Sequence, residues 1–158
     1  MTDKKEGGRI FIVHGDDKAA NDALELAMMR LDLWPLALMG PIIEALEGQV
    51  GKNHESDFGI VLVTPDDMGY AVKDGPNSTS YRARQNVILE AGMLLSSLTR
   101  DRMALIVKNH VELPSNLDGI LRLHFNGGDM RLIVPSLAAQ LAKCGFDISQ
   151  EAISEAAG

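Results

Sequence analysis

The chain has a single cysteine, Cys144. One thiol forms no disulfide within the chain and builds no cysteine-based metal site, so a reducing cytoplasm is the expected setting. Basic charge is also short: 15 Lys and Arg stand against 22 Asp and Glu, a formal net charge of -7. A grip on nucleic acid through its phosphates needs clustered cations, so no nucleic-acid partner is expected. A dinucleotide stays open, because backbone N–H groups and one or two arginines suffice for its phosphates. Long apolar runs are missing too. The longest are strand-sized, far short of the roughly 20 residues that span a bilayer, and no membrane partner is expected. Residues 1–8 are charged, lack the apolar core of a signal peptide and are expected to be disordered. His54, His110 and His124 show no metal-ligand spacing, and no metal is expected. No Gly-x-Ser-x-Gly elbow occurs. Gly48-Gln49-Val50-Gly51-Lys52-Asn53 lacks the first glycine and the Ser/Thr of a phosphate loop and follows no strand.

What is present reads as one folded domain. In 158 residues, 46% are apolar and 23% charged, enough for a sizeable core. Arg9-Ile10-Phe11-Ile12-Val13 is a continuous apolar run that stops in His14-Gly15-Asp16-Asp17, a strand followed by a helix start. Asp16 or Asp17 can cap the helix expected over 19–33. Further strands are expected at 34–39, with Pro35 at a start or edge, and at 58–63, 103–107 and 120–125, the last alternating as a half-exposed edge would. A short helix is expected at 42–47, and a last one over 134–144, stopped by Gly145. Residues 70–81 are polar and Gly/Pro/Ser-containing, so they read as a mobile loop. Alternating strands and helices point to an α/β domain: a five-stranded parallel sheet with helices on both faces, in the flavodoxin-like order 2-1-3-4-5. The domain is expected over 9–148, with 149–158 as a C-terminal tail or linker.

Ligands of such sheets bind beyond the C-terminal strand ends. Three polar stops are expected there: His14-Gly15-Asp16-Asp17, Thr64-Pro65-Asp66-Asp67 and Asn109-His110. Gly15 lets backbone approach a ligand closely. The helix around Glu90 starts at the same edge. Between Arg84 and Arg100, Glu90 is the only charged side chain, set among Val87, Ile88, Leu89, Ala91, Met93, Leu94, Leu95 and Leu98. Burying a carboxylate without a partner is costly. Glu90 therefore either faces water, on a stripe with Asn86, Met93 and Ser97, or lines a cleft that uses its charge. Spacing alone leaves both readings open.

Four blocks come in order: Phe11-Ile12-Val13-His14-Gly15, Val63-Thr64-Pro65-Asp66-Asp67-Met68-Gly69, Arg82-Ala83-Arg84-Gln85-Asn86-Val87-Ile88-Leu89-Glu90-Ala91-Gly92, and Leu113-Pro114-Ser115. Together they resemble the bacterial TIR-like predicted nucleotide-binding family, which includes the TIR parts of STING-TIR and other cyclic-nucleotide-activated antiphage effectors. The resemblance runs from Arg9 to Ile148; the stretch 38–44 is compressed against the family's usual length. It implies a flavodoxin-like TIR fold and NAD+ glycohydrolase activity, with NAD+ as substrate and no further cofactor. It implies Glu90 as the catalytic residue. Arg84 and Asn86 would orient ribose or phosphate, the backbone around His14, Gly15 and Asp16 would face the dinucleotide, and Asp66 and Asp67 would shape the site. It also implies self-association through TIR contacts and a sensor domain or subunit that binds a cyclic nucleotide.

One carboxylate suits this chemistry. Nicotinamide departs neutral from a cationic ring, so no general acid is needed. Cleavage leaves positive charge on the ribose, as in other oxocarbenium-like glycoside cleavages, and a fixed carboxylate stabilises it. Two rivals remain at this stage: a nucleotide-binding or assembly module without turnover, and a nucleoside deoxyribosyltransferase-like enzyme.

Overall fold

The computed structural model describes residues 9–33, 35–37, 57–127 and 129–158. Ile10–Val13 forms β1, fully buried as its apolar run requires. Helix α1, Lys18–Arg30, follows; Asp17 is its cap, accepting from the backbone N–H of Ala20 at 3.0 Å. Helical geometry ends at Arg30 rather than 33, because Asp32 takes a left-handed conformation with φ 59°. Pro35–Ala37 is β2, and Phe58–Val63 is β3, buried throughout. The expected helix at 42–47, the glycine-containing run 48–53, the compressed stretch 38–44 and residues 1–8 lie outside the described residues.

After β3 the structure corrects the expected loop. Asp67–Gly69 forms β4 and Ser80–Arg82 forms β5, and the two pair antiparallel with Met68 opposite Tyr81. Residues 70–79 are thus the loop that closes a hairpin, and Ser80 and Tyr81 belong to β5. The backbone N–H of Glu112 donates to the Tyr81 carbonyl at 2.8 Å, which straps the hairpin to the segment around Glu112. Helix α2 is Gln85–Ser97 and carries Glu90. Met103–Lys108 is β6 and Leu121–Phe125 is β7, whose alternating exposure is that of an edge strand. Helix α3, Val134–Lys143, ends at Cys144. The stretch expected as a tail or linker forms helix α4, Gln150–Ala157, capped by Ser149, with Ala152 and Ala156 buried. It packs on α1 and α3.

The main sheet has the order β2-β1-β3-β6-β7, and every pairing is parallel. Read by its five members, that is the flavodoxin-like order 2-1-3-4-5. Alternation along the strands splits the core in two. Ile10, Ile12, Phe58, Ile60, Leu62 and Ala104 face α1, α3 and α4. Phe11, Val13, Val61, Val63, Leu105 and Val107 face Val87, Ala91 and Leu94 of α2. Helices therefore cover both faces. At its N-terminal edge the sheet is tied by Arg9, which pairs with the buried Asp57 at 2.6 Å. Burial of each aliphatic side chain contributes about 1.5–3 kcal/mol, so these two layers hold the fold and free the opposite edge for polar groups.

Candidate functional site

Helix α2 packs against β1 and β3. Val87, Ala91 and Leu94 lie against the sheet, which leaves Glu90 on one flank of the buried stripe. Glu90 is half-buried; so are Met93 and Ser97, and only Asn86 of the expected water-facing stripe is exposed. Burial pushes the Glu90 carboxyl above its ordinary value, while the nearby His14 and Arg84 pull it down. Sequence reasoning left Glu90 between water and a cleft; the fold sets it at the rim of the sheet edge with two basic neighbours.

His14 follows β1 directly, and its Nδ1 lies 3.0 Å from the Gly15 carbonyl oxygen. Its Nε2 is buried with no hydrogen-bond partner. Gly15 is wedged between side chains: a Cβ there would overlap Asp66 Oδ2 and lie 3.6 Å from Arg84 Cδ. Asp66 accepts from the Thr64 hydroxyl at 2.8 Å. Arg84 Nη1 donates to Asp16 Oδ1 at 2.6 Å. Five of the residues singled out from sequence, His14, Gly15, Asp16, Asp66 and Arg84, thus gather around the turn after β1, and two of them, His14 and Arg84, act electrostatically on Glu90. Asn86 is exposed one turn before Glu90 on the same helix. No side chain caps the start of α2, so its first N–H groups remain open to solvent or to an anion.

Two features depart from the sequence reading. Asp67 is exposed and belongs to β4, where it lines a different cleft of about 460 Å³ with Gly69, Arg82, Ile88, Glu112 and Pro114. That cleft lies on the other flank of α2 and excludes Glu90 from its lining. The third polar stop contributes through Lys108 rather than Asn109 or His110, which are exposed. Lys108 Nζ pairs with Asp17 Oδ2 at 2.6 Å. That bond, then the Ala20 N–H, hold the Asp17 carboxyl below its ordinary value, against a smaller opposing effect of burial. Lys108 is the last residue of an otherwise apolar strand, the one signal that could have marked it. Among the described residues, no group of His, Cys, Asp and Glu could hold a metal ion, and no helix is long and apolar enough to cross a membrane.

A family model described as CAP12/Pycsar effector protein, TIR domain, matches residues 9–127. Among curated proteins, the chain is 37% identical over 138 residues to the uncharacterized protein YuaY of Escherichia coli strain K12, covering 82% of this chain and 44% of that protein. It is 25% identical over 131 residues to protein tirC of Dictyostelium discoideum, covering 74% of this chain and 64% of that one. It is 29% identical over 103 residues to CD-NTase-associated protein 12 of Sphingobacterium faecium, covering 62% of this chain and 31% of that one. The chain spans less than two thirds of the length of each of these relatives.

Proposed function

The chain belongs to the TIR-domain family of CAP12/Pycsar effector proteins, and from that membership we propose that it cleaves the nicotinamide–ribose bond of NAD+ as an antiphage effector. The observation that supports this reading best is Glu90. Its carboxyl is half-buried, raised by that burial, and flanked by basic groups at the edge where parallel sheets bind ligands.

In this reading the ionised Glu90 lies beside the ribose and stabilises the positive charge that develops as neutral nicotinamide leaves. Water then completes the hydrolysis at the sugar carbon, giving ADP-ribose. A carboxylate in partly dry surroundings does this better than one in water, because the local dielectric is lower. Arg84 and the open N-terminus of α2 take the pyrophosphate, Asn86 orients ribose, and the backbone of His14, Gly15 and Asp16 faces the dinucleotide. Asp66 shapes the floor through Thr64 and Gly15. Activity requires self-association, driven by a sensor segment or subunit that binds a cyclic nucleotide.

The test is NAD+ consumption by the chain on an artificial oligomerising tag, beside a Glu90→Ala control. Cleavage that disappears with Glu90 supports the reading. Tight nucleotide binding without product in every assembled state would replace it with a binding module.

A further inference from the structure

Asp67 belongs to the sequence blocks that marked the site, yet it lines the cleft on the other flank of α2. It stands directly opposite Arg82 across the β4–β5 pair. Opposite residues of an antiparallel pair share one face, so the two charges are placed to meet. Among the described residues no ion pair joins them; Arg82 pairs with Glu112 instead, through Nε and Nη2 at 3.4 Å. Glu112 also accepts from the Ser80 hydroxyl, so its network is complete without Asp67. The guanidinium rests against Gly69, where a Cβ would come within 2.9 Å of Nη1 and 3.3 Å of Cδ and Cζ. Glycine is what permits that approach. Because Glu112 takes Nε and Nη2, Nη1 is left for another acceptor.

The cleft thus carries a donor, Arg82 Nη1, and an acceptor, the Asp67 carboxylate, side by side at one wall. Ile88, Leu113 and Pro114 supply its apolar lining, and Gln85 adds an exposed amide. Its volume of about 460 Å³ falls within the roughly 300–1,000 Å³ of small-molecule sites. Charge narrows the ligand. Arg82 is offset by Glu112, so Asp67 leaves the lining net negative, and a phosphate or carboxylate is disfavoured. A cation would suit Asp67 but bring like charge beside Arg82. What satisfies both is a neutral group with an acceptor next to a donor. We propose that this cleft binds an uncharged flat heteroaromatic ring with a carboxamide or lactam edge, whose carbonyl accepts from Arg82 and whose N–H donates to Asp67. The ring lies against Ile88 and Leu113. Nicotinamide has such an edge, and so does guanine as its nucleoside. The proposal stands apart from the NAD+ reading: it concerns the other flank of α2 and needs no turnover.

The experiment is a nuclear magnetic resonance titration of the full chain, following the Ile88 methyl, the Gly69 amide and the signals of His14 and Glu90. The probes are two pairs: nicotinamide with nicotinate, and guanosine with 1-methylguanosine. The second member of each pair lacks the N–H beside the carbonyl. Saturable shifts at Ile88 and Gly69 with nicotinamide or guanosine are expected, and the ring that gives them names the source. The partner probe should bind about 10-fold or more weakly, since it leaves Asp67 facing an oxygen or a methyl. That preference should shrink to about 3-fold or less in Asp67→Asn, which removes the repulsion. Gly69→Ala displaces the guanidinium and should weaken the preferred ring about 3- to 10-fold. Both variants are checked by thermal melting; if either fails to fold, the preference of the wild-type chain decides. Equal binding within a pair overturns the proposal, as do shifts that never saturate. Shifts confined to His14 and Glu90 overturn it too, and assign the ring to the opposite flank.

Discussion

The two flanks of helix α2 treat polar groups in opposite ways. On the Ile88 flank the network is closed. Glu112 accepts from the Ser80 hydroxyl and from Nε and Nη2 of Arg82, the latter at 3.4 Å, and its backbone is bonded to Tyr81. These contacts hold the Glu112 carboxyl below its ordinary value, the serine bond contributing most. On the other flank His14 Nε2 is buried with no hydrogen-bond partner, and burial raises the Glu90 carboxyl. One flank is a strap that has found its donors; the other keeps a buried nitrogen without a partner. Buried polar groups without partners cost stability, so a site that keeps them is a candidate for chemistry rather than for support.

The sharpest way to break this comparison is Glu90→Gln. Turnover of NAD+ by the assembled chain should fall roughly 10²–10³-fold, the usual effect of removing one electrostatic stabiliser of a transition state. Melting temperature at neutral pH should not fall, since the substitution removes a charge that burial opposes. The sign follows from the direction of the shift. Because the folded value is raised, Glu90 favours the fold while protonated, and that contribution is lost as pH rises through the raised value. Catalysis runs the other way: it needs the carboxylate, so the acid limb of the pH–rate profile should lie above the ordinary 4.5. A limb at or below that value would remove burial from the account.

Asp17→Ala should come next, and in stability rather than rate. It removes the cap of α1 and strands Lys108, at a cost of about 1–2 kcal/mol. Melting should drop by roughly 3–6 °C at neutral pH. Asp17 is held low, so its contribution is full above the ordinary aspartate range and fades as pH falls through the lowered value. The gap between variant and wild type should therefore close in acid. Gly15→Ala is expected to be milder. The new methyl pushes Asp66 off Thr64, and KM should rise about 3- to 10-fold with little change in melting. Smallest is Glu112→Gln. The residue is exposed, and exposed pairs contribute little, so turnover and melting should both stay near wild type. A large loss there would mean that the closed flank also takes part in function.

The sequence made the architecture legible where hydrophobic patterns are long. The six-residue runs of β3 and β6 and the alternation of β7 each determine their own place. Glu90 was conspicuous as a lone charge in an apolar helix, although spacing could not decide which way it faced. The hairpin was hidden because β4 and β5 have three residues each and carry exposed or half-buried side chains, so no period-two pattern marks them. Helix α4 was hidden for a related reason: its buried face consists of Ala152 and Ala156, whose small side chains give a weak apolar signal. Ion pairs were out of reach altogether. Arg84 and Asp16 are 68 positions apart, and Lys108 and Asp17 are 91 apart. Such pairings are decided by strand order, not by local spacing.

The turn between β1 and α1 sends neighbouring carboxylates in two directions. Asp16 reaches the head of α2 through Arg84, and Asp17 reaches the end of β6 through Lys108. The turn is thus a mechanical coupler with two stays. An anion that draws Arg84 to itself slackens the first and leaves the second taut. The amide of Lys18, bonded back to the Asp16 carbonyl at 2.9 Å, sits on the slackened side, and that of Asn21, bonded to the Asp17 carbonyl at 3.1 Å, on the taut one. Hydrogen exchange at Lys18 should quicken on anion binding while Asn21 keeps its rate, which turns one tight turn into a built-in gauge of whether the arginine is occupied.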